Sequence, residues 1–180
     1  MPDNINKDDE NAPSGGGKQL LLVRHAKSSW ADAMQKDFDR PLNDRGEKDA
    51  EAMAKRLVKK DISIDAFISS PAKRAFSTAR YFAKRFDVKK KNIIQAPALY
   101  EASVDNFYKT IQEADNKYKT IAVFSHNPGI TAFVNTLTDV HVDDMPTCSV
   151  FAVRIQVAEW KDFKDAQKQF WFFDYPKNIS

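Results

Sequence analysis

The chain has 180 residues, 42% of them hydrophobic and 29% charged, and at the usual roughly 100–200 residues per domain it is expected to form one globular domain. A single cysteine, Cys148, excludes an intramolecular disulfide and a multi-cysteine metal centre. With no apolar run near the ~20 residues of a membrane span and no basic-then-apolar leader, the expectation is a cytoplasmic protein away from membranes. The net charge of +3 is uneven: residues 1–17 sum to −3, which leaves +6 for residues 18–180. That excess is too mild to imply nucleic-acid binding.

Residues 1–17 are polar, contain Pro2 and Pro13, and end in Gly15-Gly16-Gly17, a composition that predicts a disordered tail ahead of a domain over residues 18–180. Leu20–Val23 is the first unbroken apolar run. Ala66–Ile68 and Ile121–Phe124 repeat it, with a weaker one at Ile93-Ile94. Such runs are expected of strands covered on both faces of a parallel sheet. Between them, apolar residues recur at helical spacing at Ala50, Met53, Ala54, Leu57 and Val58, then from Ala72 to Phe86. Two further sets are Val104, Phe107, Tyr108, Ile111 and Ile130, Phe133, Val134, Leu137. Ser70 before Pro71, Asn127 before Pro128, and Ser103 are the expected helix caps. The lysine runs Lys59-Lys60 and Lys89-Lys90-Lys91 close helical patterns and read as solvated surface. After Pro146, Val150–Ile155 and Phe170–Tyr175 look like two strands with no long helix between them. The predicted fold is α/β: a three-layer α/β/α sandwich on a mainly parallel sheet, with a possible antiparallel edge at the C-terminus.

In open α/β sheets, ligands bind beyond the carboxyl ends of the strands. There the sequence sets Arg24 and His25 after the first run and Ser69, Ser70 and Arg74 after the second. Ser125, His126 and Asn127 follow the run Ile121–Phe124. Two of the three histidines and two arginines thus converge on one edge beside helix starts, a setting suited to phosphate. Neutral imidazole is also a competent nucleophile toward phosphorus. Each residue alone has an ordinary packing or surface explanation; their repetition at equivalent junctions favours a site. His141 with Asp143 and Asp144 lacks the spacing of a metal site and reads as surface loop. Cys148 reads as a small buried hydrophobe.

Leu22–Ala26 (LVRHA), Ser69–Ala75 (SSPAKRA) and Ser125–Gly129 (SHNPG) resemble the histidine phosphatase superfamily. Arg24–Trp30, Arg40–Asn43 with Gly46, and Leu99–Ser103 are similar to its small phosphohistidine phosphatase branch (SixA type). The resemblance spans about Lys18 to Pro176. It implies a phosphatase without metal or cofactor in which His25 is phosphorylated and Arg24, Arg74 and His126 surround the phosphate, His126 as the imidazolium. Glu101 matches the general acid, while Ser29 and Arg40 are secondary substrate contacts. The widespread pattern has glycine after the Arg-His pair, where this chain has Ala26, a replacement that requires backbone free of positive φ. No lid-sized loop is expected between the strands, so a phosphorylated protein histidine fits better than an enclosed sugar phosphate. A small-molecule phosphomonoesterase and a non-catalytic phosphate- or phosphoprotein-binding module are the alternatives. An ester needs a proton delivered to its leaving oxygen. A phosphorylated imidazole, already protonated on its other nitrogen, does not.

Overall fold

A computed structural model describes residues 17–179; the tail expected over residues 1–17 lies outside them, Gly17 excepted. The first strand, β1 (Lys18–Arg24), is apolar without a break from Leu20 to Val23 because both of its faces are covered there. Leu20 and Leu22 enter one core layer, Leu21 and Val23 the other, following the two-residue alternation of strand side chains. β2 (Ala66–Ser69) and β4 (Thr120–Ser125) are buried at every position. With β3 (Ile94–Gln95), β5 (Val150–Ile155) and β6 (Lys168–Asp174) they form one six-stranded sheet in the order β3-β2-β4-β1-β5-β6. The first four in that order are parallel neighbours, β5 is antiparallel to β1, and β6 is antiparallel to β5.

Helices cover both faces. Met53 and Leu57 of α1 (Asp44–Lys59) and Phe82 of α2 (Lys73–Arg85) pack with Leu21, Phe67 and Phe124. Phe107 and Ile111 of α3 (Val104–Gln112) and Phe133 of α4 (Gly129–Val134) pack with Leu22, Ile68 and Val123. This is the expected three-layer sandwich with its antiparallel edge. β6 begins two residues before the predicted Phe170, and a register irregularity opposite Ala152/Val153 breaks its alternation. Phe170 and Phe173 consequently join one core layer and Trp171 and Phe172 the other, as a bulge requires.

The helix starts differ in detail from their predictions. Ser103 caps α3 in a reciprocal box with Asn106, and Asn43 caps α1 by accepting from the Gly46 N–H. Ser70 does not cap α2: the helix begins only at Lys73, with Ala72 in the cap position. The Ser70 hydroxyl instead accepts from the Ala72 N–H and meets His126. Asn127 does not cap α4 either; its side chain bonds Thr131, Asp144 and Met145, and α4 stops at Val134, short of the predicted Leu137. Two glycines allow the loops above the sheet to close in. A Cβ on Gly46 would stand 2.0 Å from the Lys27 carbonyl oxygen, and one on Gly129 2.2 Å from that of Ala102, so no larger residue fits without backbone movement.

Candidate active site

β1, β2 and β4 end at one level, with Arg24 beside Ser125 and Ser69 beside Phe124. The His25 N–H donates to the Ser125 carbonyl (3.1 Å) and the Ser70 N–H to that of Phe124 (2.9 Å), so the three chain segments leave the sheet side by side. His25 and His126 meet there, their ring centroids 5.2 Å apart. Ser70 Oγ lies 2.7 Å from His126 Nε2. Arg74, in the first turn of α2, brings its Nε to 3.3 Å from His25 Nε2, and Arg24 is anchored by donation from Nη1 to the Met145 carbonyl (2.6 Å). Arg24, His25, Arg74 and His126 line a cleft of about 840 Å³ together with Arg40, Glu101, Asp37 and Tyr100.

The His25 tautomer is fixed from two sides. Nδ1 lies 2.7 Å from the Ala26 carbonyl oxygen, which only accepts, so Nδ1 carries the proton. Nε2 faces the Arg74 Nε–H, which only donates, so Nε2 holds the lone pair. The Ala26 N–H donates to Thr78 Oγ1 (2.9 Å), whose hydroxyl donates to the Arg74 carbonyl (2.7 Å); histidine and arginine therefore share one scaffold. Ala26 is not among the residues with positive φ, which meets the condition for alanine there.

Burial, and beyond it Arg74, Arg24 and Arg40, lowers the His25 pKa from the ordinary 6.5 to about 4, against the opposing hydrogen bond to Ala26. Burial, then His25, Arg74 and Arg24, lowers that of His126 to about 3 despite Asp37. Both rings are therefore neutral at neutral pH, and the imidazolium expected at His126 is not what its own surroundings hold. Among the described residues, the buried side-chain nitrogens without a hydrogen-bond partner are Arg24 Nε and His126 Nδ1. Both belong to this cleft, and buried polar atoms are rarely left so.

Asp37 is the residue that sequence reasoning missed. Its Oδ1 accepts from Arg40 Nε (3.2 Å) and Nη2 (3.1 Å), and its Oδ2 from Arg74 Nη2 (3.1 Å) and the Tyr100 hydroxyl (2.8 Å). Its carbonyl oxygen accepts from Arg74 Nη1 (2.7 Å). Burial opposes ionisation of Asp37, but the Tyr100 bond and the two guanidiniums outweigh it and hold the carboxyl at about 2. Asp37 stands in a polar loop among other acids, with no pattern to single it out. Tyr100 lies within the Leu99–Ser103 motif, and its ring packs edge-on against His126 at 5.5 Å.

Arg40 lines the cleft as expected, stacked 3.7 Å from the Trp30 ring and bonded to the Ser28 hydroxyl. Ser29 does not line it: its hydroxyl accepts from the Ala31 N–H (3.1 Å), and Ser28 takes the place in the wall. The bridge between Ser28 and Leu42 fixes which of the two serines faces inward. Glu101 lines the cleft, exposed and at φ 53°, a left-handed backbone that costs a non-glycine residue energy. Segment 25–43 supplies Trp30, Asp37 and Arg40 to the cleft wall, a larger contribution from a connecting loop than the sequence implied. His141 Nε2 lies 3.1 Å from Asp143 Oδ1, both exposed. Among the described residues no three His, Cys, Asp or Glu side chains are grouped to hold a metal ion. Cys148 is buried, and burial pushes its thiol pKa well above the ordinary value, which leaves it unreactive. No helix of the described residues is long and apolar enough to cross a membrane.

The fold resembles that of the protein histidine phosphatase SixA solved with tungstate, at a TM-score of 0.75 and 21% identity over 90% of this chain and 99% of that one. Mycobacterial glucosyl-3-phosphoglycerate phosphatase superposes at a TM-score of 0.68 and 14% identity over 88% of this chain and 99% of its own. In sequence, an uncharacterized chloroplastic protein of Arabidopsis thaliana is 28% identical over 153 residues, 81% of this chain and 70% of the relative. The mitochondrial serine/threonine-protein phosphatase Pgam5 of Drosophila melanogaster is 30% identical over 94 residues, 52% of this chain but 32% of that protein. The profile of the histidine phosphatase superfamily (branch 1) matches residues 20–119. That stretch carries Arg24, His25, Arg74 and Glu101, and a match over more than half the chain supports phosphatase activity: the chain belongs to the histidine phosphatase superfamily.

Proposed function

We propose that this chain is a cytoplasmic phosphatase, working without metal or cofactor, that removes the phosphoryl group from phosphohistidine in proteins by way of phospho-His25, with residues 18–180 acting as one domain. The observation that carries the reading is the double fixing of His25, which presents the Nε2 lone pair beside the Arg74 guanidinium. Arg24 and Arg74 hold the phosphoryl oxygens, and Arg40 is a further contact. The 3.3 Å bond from Arg74 Nε to Nε2 is long enough to be exchanged readily for a phosphoryl oxygen.

In the first step Nε2 of His25 forms a bond to phosphorus as the P–N bond of the substrate breaks. The electron pair of that bond goes to the substrate imidazole, which leaves neutral because its other nitrogen carries a proton. Water then attacks phosphorus and the P–Nε2 bond breaks. The proton of the water passes to Glu101 or to a phosphate oxygen, and inorganic phosphate leaves a neutral His25. His126 begins neutral; the negative phosphoryl group opposite it supplies the charge that favours its protonation. Most of the rate comes from guanidiniums already oriented toward the developing charge. The tungstate of the SixA structure is an oxyanion of the class these side chains suit. Trp30, 77% exposed at the cleft wall, is consistent with entry of a ring borne on a protein.

Quenching a reaction with a phosphohistidine protein in alkali should trap phosphate on His25. His25→Ala should lose about 10⁴-fold or more in turnover while still binding inorganic phosphate. Retained turnover in that variant would refute the assignment. The second reading, a small-molecule phosphomonoesterase, is favoured by Glu101 lining the same cleft; relative turnover on phosphohistidine and sugar phosphates separates the two.

A further inference from the structure

A second groove, about 860 Å³, adjoins the cleft on the side of α1 and α2. Arg40 and Arg74 line the cleft, while their chain neighbours Pro41 and Lys73 line the groove. The bridge Ser28–Leu42 joins one wall of each. Along α2, Lys73, Ser77, Arg80, Tyr81 and Lys84 fall at helical spacing on one face, opposite the buried Ala75, Ala79 and Phe82. Lys89 and Lys90 extend the same lining, so five cations face two acids, Glu47 and Asp87. Among the described residues none of these five cations is ion-paired: the nearby Arg85–Glu51 bridge involves neither lining acid nor lining cation.

We propose that this groove docks an acidic segment of the phosphorylated protein substrate and so presents its phosphohistidine to His25; the inference rests on the phosphatase reading above. Clustered like charges repel one another unless an anionic partner meets them, and the groove supplies both that field and apolar footing in Leu42, Tyr81 and Val88. Such a mixture suits a polypeptide with carboxylates. The two acids within the lining and the small overall charge suit evenly spaced nucleic-acid phosphates poorly.

The test compares the full chain with its Arg80→Glu/Lys84→Glu variant on two phosphohistidine peptides, one with an Asp/Glu-rich flank and one with that flank amidated to Asn/Gln. The wild type should show a KM about tenfold lower for the acidic peptide, and the variant should lose that preference. The advantage should shrink with added salt, and turnover of p-nitrophenyl phosphate should be the same in both proteins. Equal preference in the variant, or none in the wild type, overturns the proposal. Anisotropy of a fluorescent unphosphorylated acidic peptide reads the groove independently. If neither phosphohistidine peptide is hydrolysed, the substrate assignment fails, and weaker binding of this peptide to the variant would still uphold docking while equal binding would end it. Tighter binding of an oligothymidylate than of the acidic peptide would also overturn it.

Discussion

Acidifying the protein from about pH 7 to about pH 5 should destabilise it through its two site imidazoles. His25 stands at about 4 and His126 at about 3, against an ordinary 6.5. Between those folded and unfolded values the unfolded chain binds more protons than the folded one, so stability rises with pH. The contribution of each ring is fully present above about pH 6.5 and drains away as the pH falls toward its folded pKa. At about 1.4 kcal/mol per pH unit, the step to about pH 5 removes about 2 kcal/mol at each ring, about 4 kcal/mol for the pair. For a chain of this length that lowers the melting temperature by about 8–16 °C. The physical causes are burial first, then, at His126, the neighbouring His25, and at both rings the guanidiniums of Arg74 and Arg24. Asp37, at about 2, stays ionised across this range and does not contribute to the slope. Urea titrations at both pH values on the wild type and a His25→Asn/His126→Asn variant isolate the pair, because the exposed His141 and the surface acids are common to both. The variant should lose about 4 kcal/mol of pH dependence. Equal pH dependence in the two proteins would mean that the rings are not held neutral, and the tautomer argument for His25 would fall with it.

Two further substitutions probe the rest of the cleft. Glu101→Gln should leave phosphohistidine hydrolysis within about threefold of wild type, yet slow an alkyl phosphate by about 10²–10⁴-fold, because only the alkoxide requires a proton in transit; equal losses on both substrates would contradict the leaving-group argument. Asp37→Asn removes the carboxylate that Arg40, Arg74 and Tyr100 share, so inhibition by inorganic phosphate should tighten by roughly three- to tenfold as the guanidiniums lose their internal counterion. An unchanged or weaker inhibition constant would show that Asp37 serves orientation alone.

Much of this arrangement is written in local sequence. Unbroken apolar runs announced β1, β2 and β4, since a strand covered on both faces has no polar position to display. With three parallel strand ends placed, topology alone brought His25, Ser70 and His126 to one edge. What escaped depended on competition between partners far apart in sequence. Ser70 beside Pro71 has the local chemistry of a helix cap, but its hydroxyl lies 2.7 Å from the His126 ring, and the helix starts later. Ser28 and Ser29 are chemically identical, and only the bridge to Leu42 decides which one turns inward. Asp37 is invisible for the same reason: beyond the local Arg40, its side chain is held by Arg74 and Tyr100, 37 and 63 residues away in sequence, and no period connects them.

The charges around the cleft explain why its imidazoles are neutral and what would change that. Arg24, Arg40, Arg74 and Lys27 line it against Asp37 and Glu101, which leaves two positive charges uncompensated. A proton on either ring would make three, in a setting where burial already penalises charge. A phosphoryl dianion cancels those two and removes the electrostatic objection to a proton on His126. Protonation of His126 is therefore expected to follow anion binding, so free phosphate should raise the pH-dependent stability at about pH 5 more than at about pH 7 once its own ionisation is allowed for. Denaturation of the wild type with and without phosphate at the two pH values measures that coupling, and a stabilisation no greater at the lower pH would show that the ring stays neutral even with the anion bound.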